Sequence, residues 1–231
     1  MRSRRFALLF GLLMSFLISC SQPADTNNKG AQILALAKQA TGGKAWDEIH
    51  VWHERGQTLS ASGETSRYEH WGDLHSLRVF NSGSPGTHYM IYDGNAAYTC
   101  ANPACDPRTL LDPVAIRAGA YLASFGFFFP ERFAASFSYE GSRREHGILY
   151  DVVKVSPAGL QSMQLWIDQG THRIFRMVLG NGAFRTDVSD YRQVGAVMVP
   201  FMVEEGGTVV KTNEVLFEPA DAVTFSIPGT S

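Results

Sequence analysis

Histidine, carboxylate and cysteine pairs are the groups from which this 231-residue chain could build a metal site or an acid–base centre. His50 and His53 form an H-x-x-H, and His70 and His75 lie five apart. Odd spacing along a strand sends two side chains to opposite faces, so both are poor metal pairs. Glu204 and Glu205 are adjacent carboxylates, separated by the same parity and followed by a Gly206-Gly207 turn. Gly180-Asn181-Gly182 is half of a dinucleotide fingerprint without its third glycine, and a hairpin turn accounts for it. The chain has no Gly-x-Ser-x-Gly elbow, no His-Glu-x-x-His and no phosphate-binding loop. No nucleophile has a base at recognisable spacing. No catalytic residue, metal or cofactor is therefore assigned, and an enzyme is not expected. Cys100 and Cys105 span an Asn-Pro turn as C-x4-C. Such a pair is either a disulfide or half of a metal site, and no second Cys or His pair stands nearby.

The elements that must position these residues are mostly strands. Alternation is clean in Met163, Leu165, Ile167 and in Val197, Val199, Phe201, Val203. Strand-like runs fall near 47–60, 65–80, 87–93, 95–100, 136–145, 147–156, 162–168, 172–180, 183–194, 196–205 and 207–217. Short turns such as Asp93-Gly94-Asn95 join them, which predicts an antiparallel meander. Apolar residues at helical spacing (Ile33, Leu34, Leu36, Ala37, Ala40) predict a helix over 31–41, stopped by Gly42-Gly43. An apolar insert near 110–135 interrupts the meander. Asp112 and Pro113 open a helix there. The run Phe125-Gly126-Phe127-Phe128-Phe129 follows, and a second short helix is expected to hold Phe133 and Phe137. The fold class is β-rich α+β: a curved antiparallel sheet covered on its concave side by helices.

Composition narrows the class. At 45% apolar and 18% charged, the chain can bury a core and is not disordered. The net charge of −2 lacks the basic footprint of a nucleic-acid binder. The one long apolar run is N-terminal. Arg2, Arg4 and Arg5 precede Phe6 to Ile18, which has the layout of a secretory signal and is short for a bilayer crossing. It ends in Leu17-Ile18-Ser19-Cys20, which resembles the lipobox of bacterial lipoproteins. That resemblance implies cleavage after residue 19 and acylation of Cys20. Ser21 in place of Asp implies the outer membrane. Two or three acyl chains anchor far more firmly than one. Residues 20–30 read as a polar tether and 31–231 as a single domain. Beyond residue 19 the chain keeps 17 basic and 22 acidic side chains, a net of −5, so the lipid rather than charge must hold it to the membrane. In an oxidising envelope the Cys100–Cys105 pair reads as a disulfide.

The marks Leu165-Trp166-Ile167-Asp168, Thr171, Arg176, Asp190-Tyr191 and Val199-Pro200-Phe201 resemble the LolA/LolB lipoprotein-localisation superfamily. Ala40-Thr41-Gly42-Gly43 with Trp46 is similar to a periplasmic subgroup of it. The resemblance implies a half-barrel of about ten to eleven strands around helices, with an apolar cavity for acyl chains. Trp52, Trp71, Phe125, Phe127, Phe128, Phe129 and Trp166 are the candidate lining residues; core packing is their other reading. Two functions follow. One is an outer-membrane-anchored periplasmic lipoprotein that carries lipid or lipoprotein acyl chains. The other is an interaction lipoprotein with a packed core, docking an envelope protein. They differ in whether the interior is hollow.

Overall fold

Strand β1 (Val51–Leu59) lies in the middle of the sheet, and the chain leaves it in one direction and returns from the other. This computed structural model describes residues 25–82, 88–101, 104–106, 113–180, 182, 184–222 and 225. The signal segment and Cys20 lie outside them. From β1 the meander steps outward through β2 (Thr65–Asp73), β3 (Val79–Ser82), β4 (His88–Tyr92), β5 (Ala97–Ala101) and β6 (Ala104–Asp106). Helix α2 (Pro113–Ala123) then carries the chain to the opposite edge. There β7 (Ala135–Glu145), β8 (Ile148–Pro157), β9 (Met163–Asp168) and β10 (Ile174–Leu179) begin the return. It continues with β11 (Phe184–Val194), β12 (Val197–Glu205) and β13 (Thr208–Glu218), which pairs with β1. The described strands form one antiparallel sheet of 13, ordered β6-β5-β4-β3-β2-β1-β13-β12-β11-β10-β9-β8-β7.

Thirteen strands exceed the expected ten to eleven for two reasons. The run 65–80 is broken at Asp73, whose carboxylate accepts from the backbone of His75 and Ser76 and from Arg78. Leu77 takes a left-handed φ of 59° in that turn. An Asp side chain builds the turn without Gly or Pro, so no punctuation marks it. The three-residue β6 is too short for periodicity to register.

Helix α1 (Thr26–Ala40) starts five residues before the expected helix over 31–41. Asp25 caps it, accepting from the N–H groups of Asn27 and Asn28, so residues 26–30 of the expected tether are helical. Ile33, Leu34 and Ala37 of α1 join Ala118 and Ala120 of α2 in one core with Val153, Leu165, Ile167 and Val199 of the sheet. α1 rests on β7 and β8. The aromatic run does not continue α2. Phe125 has a left-handed φ of 50°, and Gly126–Phe128 is a 3-10 turn. Phe137 lies in β7, not in a second helix.

The seam between the two halves is β1 against β13, where the register slips between Arg55 and Gly56. A Cβ on Gly56 would collide with the Lys211 carbonyl oxygen and crowd the Tyr68 ring. Gly56→Ala is therefore expected to cost at least ~2 kcal/mol, because backbone rather than a movable side chain must give way. Chemical denaturation should show a lower midpoint; an unchanged midpoint would mean the bulge can be repacked freely.

Candidate functional site: an apolar cavity under the second helix

The face of the sheet that carries the helices is not filled throughout. A cavity of about 360 Å³ separates α2 from the strands, within the size range of small-ligand sites. Ala115, Gly119, Leu122 and Ala123 of α2 form its roof, with Phe125 at one end. Trp52 of β1, Met177 of β10, Val188 of β11 and Val203 of β12 form much of its floor. α2 is a thin partition: a second space of about 190 Å³, between Val79, Met90 and Ile116, shares Gly119 and Ala123 with the first. Small residues on the α2 face are what leave both spaces open, since a Cβ on Gly119 would meet nothing within 4 Å. Phe184, 58% exposed, and Glu205 stand at the mouth.

One wall is polar. Glu54 of β1 lies directly opposite His70 of β2, and both side chains reach the cavity. Burial drives the Glu54 carboxyl upward from the usual carboxylate range, against the opposing pull of His70, the Trp52 indole and His53. His70 donates from Nδ1 to the Asn81 Oδ1, which leaves Nε2 as its free ring nitrogen.

No protein-family model matches this chain. No curated protein matches it in sequence. Solved structures do resemble it. One is a DUF1329 family protein from Desulfovibrio piger, with TM-score 0.55 and 11% identity, covering 87% of this chain and 95% of its own. Another is a putative outer membrane lipoprotein-sorting protein domain from Vibrio parahaemolyticus, with TM-score 0.52 and 11% identity, covering 83% and 93%. The chain shares their fold. At this identity the likeness is one of architecture alone.

Within that fold the aromatic residues singled out by sequence separate into three groups. Trp52 and Phe125 border the cavity. Phe127, Phe128 and Phe129 are buried in the core. Phe129 is flanked by two cations, Lys38 Nζ at 4.7 Å and the Arg132 guanidinium at 4.4 Å from the ring centre. Trp71 and Trp166 lie on the far face of the sheet. Trp71 stacks on His53 with centroids 4.3 Å apart, and Trp166 sits under Arg176 at 4.7 Å. Strand parity explains this: Trp52 pairs with Gly72, whereas Trp71 pairs with His53 one step along.

The histidines also separate. His53 lies between Glu69 (2.9 Å) and Glu218 (2.6 Å), His50 stacks on His75, and His70 turns to the cavity. Cys100 lies opposite Cys105 in the β5–β6 register; their side chains are outside the described parts of the molecule. Sequence patterning does not single out Glu54, His70, Met177, Phe184 or Gly119 as cavity residues. Only the alternation of Trp52 with Glu54 carries a trace of them, and a charged residue in an inward register reads as solvated unless the cavity beside it is known. Of the resemblance marks, Tyr191 and Pro200 border the cavity, and others serve the frame. Asp168 accepts from the N–H groups of Gly170 and Thr171 to close a hairpin, and the Tyr191 hydroxyl donates to the Ile174 carbonyl.

Proposed function

We propose that this protein is a non-enzymatic carrier of acyl chains in the bacterial envelope, holding an apolar tail between α2 and the sheet. The observation that carries the reading is the open, mostly apolar space of about 360 Å³ in a fold shared with a lipoprotein-sorting domain. A solid interior would have favoured an interaction protein. The tail lies against Phe125, Met177, Val188 and Val203 and enters past Phe184.

Gly119 provides the test. Leu at this position projects into the space under α2 and replaces a helical Gly. Gly119→Leu is expected to raise stability by roughly 0.5–1 kcal/mol through helix propensity alone. The same change should weaken binding of the apolar dye diphenylhexatriene at least about tenfold by occupying its volume. Dye titration and thermal melts of both proteins check this. Undiminished dye binding in the variant would rule out the cavity as the carrier site. Native mass spectrometry of the purified protein should show co-purifying lipid.

Anchoring belongs to the same proposal. Cys20 carries the acyl chains that fix the protein to the periplasmic face of the outer membrane. Cys100 and Cys105 are bridged; directly opposed residues of an antiparallel pair have Cα atoms ~4.5–5.5 Å apart, inside the range a disulfide spans. The intact mass of the exported protein should show acylation at Cys20 and a two-hydrogen deficit across the cysteine pair. An unmodified Cys20, or two thiols that alkylate without reduction, would overturn the corresponding half.

A further inference from the structure

The polar wall of the cavity is more than a border, because its groups converge. Glu54 and His70 are cross-strand neighbours facing a mostly apolar space that Thr186 and Glu205 also border. The Ser124 hydroxyl, fully buried, has no hydrogen-bond partner among the described residues. It turns toward the same spot: a Cβ on Gly72 would lie 3.2 Å from His70 Nε2 and 3.6 Å from Ser124 Oγ. Gly72 carries no side chain there, and a Cβ at that position would crowd His70 Nε2. Asn81 occupies the other ring nitrogen of His70 and so leaves Nε2 as its acceptor. Buried polar groups cost free energy unless something pairs with them.

We infer that this wall is a head-group site that selects single-chain amphiphiles ending in a hydrogen-bond donor, a hydroxyl or an amine, over those ending in a carboxylate. The inference rests on the carrier reading and names its ligand class. A Glu54 carboxyl oxygen and His70 Nε2 offer acceptors to the cavity. A donor head satisfies them together, and an ammonium would favour the ionised form of Glu54 that burial otherwise disfavours. A carboxylate brings a charge to a low-dielectric wall where burial already disfavours one on Glu54.

Competition against bound diphenylhexatriene at neutral pH tests this, with dodecanol, dodecylamine and dodecanoate as competitors. Dodecanol and dodecylamine should each displace the dye at concentrations at least about tenfold below dodecanoate, as hydrogen bonds to charged or buried groups allow. The alcohol and amine arms show whether charge adds to donation. Glu54→Gln keeps size and removes the ionisable carboxyl; it should shrink the preference over dodecanoate to within roughly threefold. Gly72→Ala brings a methyl against His70 Nε2 and should weaken dodecanol more than it weakens the dye. Equal or better binding of dodecanoate to the wild type, or a preference that survives Glu54→Gln, overturns the inference while the carrier reading stands. A wild-type protein that does not bind the dye overturns both.

Discussion

Arg176→Ala is expected to lower stability by about 3–5 kcal/mol, the usual cost of breaking a buried ion pair from one side. The guanidinium, 3% exposed, donates to Glu145 at 2.6 and 2.8 Å and to Asp187 at 2.5 and 3.0 Å. Trp166 and Phe175 each lie 4.7 Å from it. Removing Arg176 leaves Glu145 and Asp187 to share the half-exposed Arg185 and opens a hole between two rings. Arg176→Lys restores charge without the planar fork and should recover only part of the loss. The pair also sets an acid response. Burial alone would raise the Asp187 carboxyl, but hydrogen bonds from Arg176 and Arg185 outweigh it and hold the group at about 2. A carboxyl depressed in the folded state stabilises above its unfolded value near 4, and that contribution fades as pH falls from about 4 toward 2. Denaturation from pH 5 to 2 should show wild-type stability falling across that window, with a shallower slope in Arg176→Ala. Equal slopes would show that Asp187 does not depend on Arg176.

Truncating the aromatic run should divide its members sharply. Phe127→Ala and Phe129→Ala are each expected to cost ~3–5 kcal/mol, because both rings are essentially fully buried. Phe125→Ala should cost less than half as much, since one side of that ring already borders open space and the change only enlarges it. Dye affinity should behave oppositely, falling in Phe125→Ala and holding in the other two below their melting temperatures. Phe125 touches Trp46 (5.0 Å) and Trp52 (5.5 Å), so part of its cost comes from those contacts. Comparable losses of stability at all three positions, with dye binding unchanged, would mean that Phe125 is ordinary core.

Local pattern reaches some of these residues and not others. The period-two alternation of Met163, Leu165 and Ile167 is enough to name an inward face, and those residues are buried in the core. Pro113 marks the first residue of α2. Trp166 shows the limit. Its strand is legible, yet the face opposite the core also packs aromatics, buried Tyr150 with half-buried Trp166 and Phe175, because Arg176 with Glu145 and Asp187 roofs a second small cluster there. Size and hydrophobicity alone could not tell the two faces apart.

By itself the sequence determined the antiparallel meander, the apolar insert that interrupts it, the start of the second helix and most strand bounds. All of these depend on neighbours within a few residues, through alternation, capping and turn chemistry. Tertiary structure alone decided what stands next to what across the sheet. Glu54 meets His70 because β1 and β2 pair in one register, and Ser124 reaches them because the insert crosses to the far edge. A shift of that register by one residue would turn Glu54 outward and Arg55 into the cavity. The hollow itself arises from small residues on one face of α2 lying opposite strands distant in sequence, and no local pattern records a volume that many segments enclose together.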